Sequence, residues 1–224
     1  MSLAIVQGDA VEVLAQMADQ SADLAVLHPP YWPVTGMTRD TGLGSESSQR
    51  EYLGNLRGVI SECARVLKPT GSLWLIVGET DAGAGRRGTS LHAGLLLTEH
   101  GWTLVGTTIN VRGYTGIDLM YRGVRSDAAY FSVDLSNQVM SCPQEKYEGF
   151  GYWTLPVDLS SVLIRANCPK GGLVIDPFCG SGSVGYAARM HGMNYIGIDV
   201  DAKAIEIARK RLGLDGVQAE EVRQ

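Results

Sequence analysis

Short uninterrupted apolar runs alternate along the chain with stretches whose apolar positions recur every three or four residues. Leu3-Ala4-Ile5-Val6, Leu24-Ala25-Val26-Leu27, Leu73-Trp74-Leu75-Ile76-Val77, Leu173-Val174-Ile175 and Tyr195-Ile196-Gly197-Ile198 are runs of the first kind. Runs this short, without polar alternation, read as strands buried on both faces. Of the second kind, Leu53, Leu56, Ile60, Cys63 and Leu67 form one helical stripe, stopped by Lys68-Pro69-Thr70-Gly71. Further helices are predicted from Asp9, with Glu12 in a capping arrangement, to about residue 17, over 90–100, from Trp153-Thr154-Leu155-Pro156 to about Ala166, and over roughly 183–191. A last helix is capped by Asp201, carries Ile205, Ala208 and Leu212 on one face, and ends at Gly213.

Residues 103–112 differ, since apolar and polar positions alternate there, which predicts an antiparallel strand. Two glycine-rich stretches, 33–50 and 79–89, read as long loops of the kind used as lids or binding loops. Residues 113–150 mix Tyr114, Tyr121, Tyr130, Phe131, Tyr147 and Phe150 with Arg122, Arg125 and Lys146, without sustained periodicity. This stretch is expected to be a small inserted recognition segment. Residues 1–112 and 151–224 then form one α/β domain: a mostly parallel, doubly wound sheet with an antiparallel strand and helices on both faces.

In such sheets ligands bind beyond the carboxyl ends of the strands. The polar residues closing the runs are Asp9, His28, Glu79, Asp176 and Asp199, so all five are expected along one sheet edge. At 224 residues the chain can bury a sizeable core, and its 45% apolar and 19% charged content is that of a globular protein. No run approaches the roughly 20 apolar residues of a membrane span, and no secretory leader is visible. The four cysteines are scattered, which argues against a zinc site or disulfide framework and for a reducing cytoplasm. A net charge of −5 argues against broad nonspecific nucleic-acid binding, but not against a local basic surface.

Two stretches carry chemistry. Gly180-Ser181-Gly182-Ser183-Val184-Gly185 fits a phosphate- or nucleotide-binding turn between a strand and a helix, with Asp199 placed for a ribose. A dinucleotide is one reading. A pyrophosphate, however, would be repelled by Asp176 at the strand end. A ligand with an amine and a sulfonium, S-adenosylmethionine, would be attracted by it. The other stretch is His28-Pro29-Pro30-Tyr31-Trp32. Its prolines hold the backbone stiff and without N–H groups, presenting carbonyls and flat rings at a strand end.

DPFCGSGS at 176–183 resembles motif I (DPFxGSGT) of the amino-methylating DNA methyltransferases, and HPPYW at 28–32 resembles their motif IV, usually begun by Asp, Ser or Asn. The catalytic motif precedes the cofactor motif, as in the permuted β-group. KPTGSLWLIVG and NYIGIDVDAKAIEIARKRL also match the family's running pattern. The resemblance implies a Rossmann-like, circularly permuted fold and methyl transfer from S-adenosyl-L-methionine to cytosine N4 or adenine N6. It implies that Asp176, Phe178, Gly180, Ser181 and Gly182 hold the methionine end of the cofactor, Asp199 its ribose and Asp9 its adenine. It places His28, Pro29, Pro30 and Tyr31 at the reaction: His28 and the Pro29 carbonyl accept the amine hydrogens, and Tyr31 stacks on a base flipped from the duplex. No metal is implied. Double-stranded DNA is the implied partner, and a homodimer and a cognate restriction nuclease stand open beside it.

His28 departs from the family pattern, since imidazole accepts a hydrogen bond only when neutral. Activity is therefore expected to fall as His28 protonates, around the reference pKa of about 6.5. The alternatives are a degenerate relic that only binds cofactor or nucleic acid, and a methyltransferase for RNA or protein glutamine. Arg39, Arg50, Arg86, Arg87, Arg112, Arg122 and Arg125 are the candidate phosphate contacts.

Overall fold

The computed structural model describes residues 1–33, 42–79, 88–112, 116–135, 138–143, 145–150 and 153–215. Arg39, Arg86, Arg87 and Tyr114, with most of both glycine-rich stretches' centres, lie outside these residues.

The apolar runs form strands β1 (Leu3–Gln7), β2 (Ala22–Leu27), β3 (Leu67–Gly78), β4 (Thr103–Val111), β5 (Ile117–Val124), β6 (Val139–Met140), β9 (Leu173–Asp176) and β10 (Asn194–Asp199) of one sheet. A separate ribbon pairs β7 (Glu145–Lys146) with β8 (Trp153–Thr154). The helices are α1 (Ala10–Leu14), α2 (Gln49–Val66), α3 (Thr89–Glu99), α4 (Val157–Asn167), α5 (Ser183–Met190) and α6 (Ala202–Leu212). In the main sheet the strands lie in the order β1-β10-β9-β2-β3-β5-β4-β6. From β1 through β3 every pairing is parallel, and β5 runs antiparallel to both β3 and β4.

Why the sheet is doubly wound can be read from β3. Trp74 and Ile76 face one core, shared with α4, α5 and α6 residues such as Leu163, Val184 and Leu212. Leu73, Leu75 and Val77 face the other, shared with α2 and α3 residues such as Leu56, Ile60 and Leu97. Burying side chains on both faces leaves no room for polar alternation. The chain winds one way from β9 to β10 and the other from β2 to β3. The reversal falls between the adjacent strands β9 and β2, and such a switch point opens a crevice at the strand ends.

The sequence expectations hold in outline and change at three places. The predicted antiparallel pairing of β4 is present, but the strand that runs against the rest of the sheet is its partner β5. β4 alternates because it lies near the sheet's edge with one side half open. β5 belongs to the stretch expected to be an insert, yet Met120, Tyr121 and Val124 are buried between β3 and β4. Its apolar pattern is disguised by Asp118 and Arg122, which are buried with it. Third, Lys68-Pro69-Thr70-Gly71 ends α2 but does not stand apart from the following strand. β3 begins at Leu67, and the register with β2 shifts between Ala22 and Leu24 to absorb the extra residues. The predicted caps are present: Asp9 accepts from Val11 and Glu12, Asp201 accepts from Lys203, and Gly213 is left-handed.

Candidate active site

A cavity of about 1110 Å³ lies at the switch point, and four of the five predicted strand-closing residues, Asp9, His28, Asp176 and Asp199, line it. Glu79, the fifth, instead accepts hydrogen bonds from the backbone N–H and hydroxyl of Ser90 at the start of α3. Register places Asp176 opposite Val26, two residues short of His28. With strands about 4.8 Å apart and a rise of about 3.3 Å per residue, the two Cα atoms are roughly 8 Å apart.

The half of the site built on β9 and β10 is a glycine turn locked from below. The Gly180 N–H donates to Asp199 Oδ2 at 2.9 Å, and the Cys179 N–H to the Ile198 carbonyl at 2.9 Å. Gly182 opens α5 with φ of 78°, and a Cβ there would lie 2.9 Å from Leu212 Cδ1 and 3.1 Å from Ala208 Cβ. The third residue of the turn therefore has to be glycine for backbone shape and for closeness to α6. Phe150, from the ribbon region, leans on the turn, its Cζ 3.4 Å from where a Cβ of Gly180 would be. The Ser181 and Ser183 hydroxyls accept from Arg211 Nη1 at 3.2 and 2.9 Å. Arg211 is itself stacked 4.3 Å from the Tyr147 ring centroid. Ser181 is thus part of the turn's bracing, a role that the motif alone did not show.

Asp176 is 2% exposed. Tyr195 donates to its Oδ2 at 3.0 Å and the Phe178 N–H to its Oδ1 at 3.3 Å. These bonds do not offset burial, which with the nearby Asp199 charge pushes the carboxyl up to about 7. Among the described residues no cation pairs with it. A buried carboxylate held in place yet lacking a counter-charge is what an incoming amine and sulfonium require. The residues present therefore fit S-adenosylmethionine, and they do not fit a pyrophosphate. Asp9 caps α1 through Oδ1 alone, at 2.9 and 3.2 Å, so capping and a ligand contact through Oδ2 are compatible. Leu155, buried at 5% exposure, closes the cavity beside Thr154.

The half built on β2 is held by residues from distant parts of the chain. Tyr52 on α2 donates to the Pro30 carbonyl at 3.0 Å, while the Pro29 carbonyl accepts no bond from the described residues. Trp32 Nε1 donates to the Glu46 carbonyl at 2.9 Å, and the Glu46 carboxylate accepts from Gly44 N–H and Asn55 Nδ2, which fixes the cavity's far wall. The Tyr31 hydroxyl donates to Asp118 Oδ1 at 2.6 Å and stands 3.0 Å from His28 Nε2. Arg112 pairs with the same carboxylate oxygen at 3.1 Å, and Asn110 Nδ2 donates to Oδ2 at 3.3 Å. Burial holds His28 below the ordinary histidine range; Asp118 opposes this and Arg112 adds to it.

Asp118, Asn110, Tyr52 and Arg211 were not among the residues expected from sequence. The one available signal was a lone aspartate at the head of an aromatic-rich run. Two expectations are corrected. Arg112 is ion-paired beside Tyr31, Arg122 is 3% exposed with its guanidinium 5.0 Å from the Phe131 ring centroid, and Arg125 donates to the Leu67 carbonyl at 2.7 Å. Arg112 and Arg122 serve the fold and are not placed as phosphate contacts, whereas Arg125 is exposed. Arg50 is exposed. No cluster of three potential metal ligands occurs among the described residues, and no described helix is long and apolar enough to cross a membrane.

A permuted α/β sheet with a cationic-ligand socket beside a Pro-Pro-Tyr strand exit defines a class: amino-methyltransferases dependent on S-adenosyl-L-methionine. Residues 22–118 and 128–210 match the N6/N4 DNA methylase family model, and the chain belongs to that family. It is similar to the type II methyltransferase M.Cfr9I of Citrobacter freundii, with 24% identity over 92% of this chain and 86% of that protein. It is 26% identical to the DNA adenine methyltransferase YhdJ of Escherichia coli, over 93% of this chain and 82% of that protein. Among solved structures, the cytosine-N4-specific PvuII DNA methyltransferase superposes with a TM-score of 0.78 at 15% identity, covering 99% of this chain and 90% of that one. The Thermus thermophilus protein TTHA0409, solved with S-adenosyl-L-methionine, gives 0.75 at 21% identity over 94% and 93% of the two chains. The chain is thus a DNA methyltransferase of the N6/N4 family, with S-adenosyl-L-methionine as its methyl donor.

Proposed function

We propose that this enzyme methylates the exocyclic amine of a cytosine or adenine turned out of double-stranded DNA, and that His28, Pro29, Pro30 and Tyr31 perform the chemistry. The amine is a poor nucleophile because its lone pair is conjugated into the ring. Two acceptors that bind both amine hydrogens keep the lone pair on nitrogen and aim it. The Pro29 carbonyl is one and the neutral His28 ring the other. The Pro30 carbonyl is already engaged by Tyr52, which leaves the Pro29 carbonyl as the one without a partner among the described residues, and the role of Pro30 is to fix the backbone. Tyr31 provides an aromatic wall for the flipped base.

Bound S-adenosyl-L-methionine supplies an electrophilic methyl group on a sulfonium sulfur. Asp176 would face its cationic end, Phe178, Gly180, Ser181 and Gly182 would shape the pocket around it, Asp199 would take the ribose hydroxyls and Asp9 the adenine amine. The observation that carries the reading is that one cavity joins the uncompensated carboxylate of Asp176 to the bare acceptors of Pro29 and His28. A neutral ring at position 28 supports an active enzyme over a cofactor-binding relic.

Residues 125–150, without β5, make a small recognition segment, and a homodimer would extend its reach along DNA. The type II methyltransferases among the relatives support a restriction nuclease as cognate partner and the cytoplasm as the place of action. The test is incubation with labelled S-adenosylmethionine and unmodified DNA, followed by mass spectrometry of nucleosides. N4-methylcytosine or N6-methyladenine is expected. Label on RNA or protein but not DNA, or on none of them, overturns the proposal.

A further inference from the structure

A carboxylate or carboxamide oxygen at position 28 would accept a hydrogen bond in any surroundings. Imidazole accepts only through whichever nitrogen lacks the proton, so a histidine there works only if its tautomer is set. The Tyr31 hydroxyl has one hydrogen and two candidate acceptors, Asp118 Oδ1 at 2.6 Å and His28 Nε2 at 3.0 Å. The charge-assisted, shorter bond to the carboxylate takes that hydrogen. The Tyr31 oxygen can then only accept from His28, which requires the proton to sit on Nε2. Nδ1 is left with its lone pair, and it makes no hydrogen bond among the described residues.

The surroundings make this arrangement stiff. Asp118 is 1% exposed and is gripped by Arg112 and Asn110. Asn110 is fixed in turn by the Cys142 backbone, accepting from its N–H at 3.0 Å and donating to its carbonyl at 3.2 Å. Gly78 lets Tyr31 and Asp118 meet, because a Cβ there would lie 2.7 Å from Tyr31 Cε2 and 2.9 Å from Asp118 Oδ1.

We infer that Asp118 is a positioning residue: through the Tyr31 hydroxyl it holds His28 as the Nε2–H tautomer and so makes Nδ1 the acceptor for the substrate amine. This rests on the reading of His28 as an amine acceptor, but its test does not need turnover. Nitrogen-15 NMR of histidine-labelled protein reports which ring nitrogen is protonated, and loss of a resonance set in His28→Asn assigns His28 among the four histidines. Wild type is expected to show a protonated Nε2 and a bare Nδ1. Asp118→Asn, which keeps an acceptor oxygen, is expected to preserve that state.

Asp118→Ala frees the Tyr31 hydrogen for Nε2 and is expected to move the ring proton to Nδ1. Its kcat for methylation of unmodified phage DNA should fall at least about tenfold, with KM nearly unchanged. If Asp118→Ala does not fold, Tyr31→Phe supplies the second reading and is expected to give a tautomer mixture. A wild-type His28 protonated on Nδ1, or a tautomer indifferent to Asp118→Ala or Tyr31→Phe, overturns the inference. Absence of methyl transfer by wild type instead defeats the proposed reaction, leaving the tautomer result to stand by itself.

Discussion

Asp176, which lines the cavity, and Asp118, which stands behind the cavity-lining Tyr31, are both buried carboxylates, yet they are kept in opposite ways. Asp118 has a guanidinium, a hydroxyl and a carboxamide around it, all from its own chain. Asp176 has one tyrosine hydroxyl and one backbone N–H, and its carboxyl is pushed up to about 7. A buried charge whose partner is built in is a fixture that orients neighbours. One left without a partner is a socket for an arriving cation. In the proposed function the two halves of the site are thereby divided between holding a neutral acceptor still and recruiting a charged donor.

The sharpest way to break this comparison is to neutralise each carboxylate in turn. Asp176→Asn is expected to weaken S-adenosylmethionine binding on the order of 10²–10³-fold by calorimetry, because removing one member of a buried pair costs about 3–5 kcal/mol. Asp118→Asn should leave that affinity unchanged, and equal losses in the two variants would erase the distinction. Next in size is His28→Ala, expected to lower kcat about 10²-fold through loss of one preorganised hydrogen-bond partner. Cofactor affinity should hold, and His28→Asn should recover part of the rate.

The two halves also titrate differently. Burial raises Asp176, so below about pH 7 its protonated form is favoured in the free protein. Its contribution to stability is present below the ordinary carboxylate pKa and is lost as pH rises through about 7. Below that pH, binding a cation to it expels a proton. Affinity for S-adenosylmethionine is therefore expected to fall by up to about tenfold per pH unit below 7, and calorimetry in buffers of different ionisation heat should detect proton release. His28 moves the other way. Its pKa is lowered, so the ring stays neutral to below the ordinary histidine value and the acid limb of kcat at saturating cofactor should lie under pH 6.5. A limb at or above 6.5 would contradict the burial of that ring.

Smaller effects test the scaffold. Gly182→Ala should destabilise the protein by roughly 1–3 kcal/mol in urea unfolding, from left-handed strain and collision with α6. Tyr52→Phe should cost about 1 kcal/mol by releasing the Pro30 carbonyl.

The cofactor half was largely legible in the sequence because it is local: strand, turn, helix and the next strand end follow one another between Asp176 and Asp199. Strand periodicity and the switch-point rule brought His28 to the same edge. The supports of the acceptor half were not legible. Tyr31 and Asp118 are 87 positions apart, and no spacing rule joins them. Asp118 and Arg122 also broke the apolar pattern by which β5 would have been read as a strand. Arg112 and Arg122 resembled surface charges because sequence does not show that a carboxylate or an aromatic ring awaits each one.

The hydrogen bond from Tyr52 to the Pro30 carbonyl has a consequence for when the reaction stops. By engaging that carbonyl it leaves Pro29 and His28 as the two unengaged acceptors that meet the amine in the proposed arrangement. An unmodified amine brings two hydrogens and satisfies both, whereas a methylated one brings a single hydrogen and leaves an acceptor empty. Retention of the product is thereby weakened and a second round on the same nitrogen is discouraged, so nucleoside mass spectrometry should find monomethylated base alone even after exhaustive incubation. The site would count its methyl groups by the number of lone pairs it leaves uncovered.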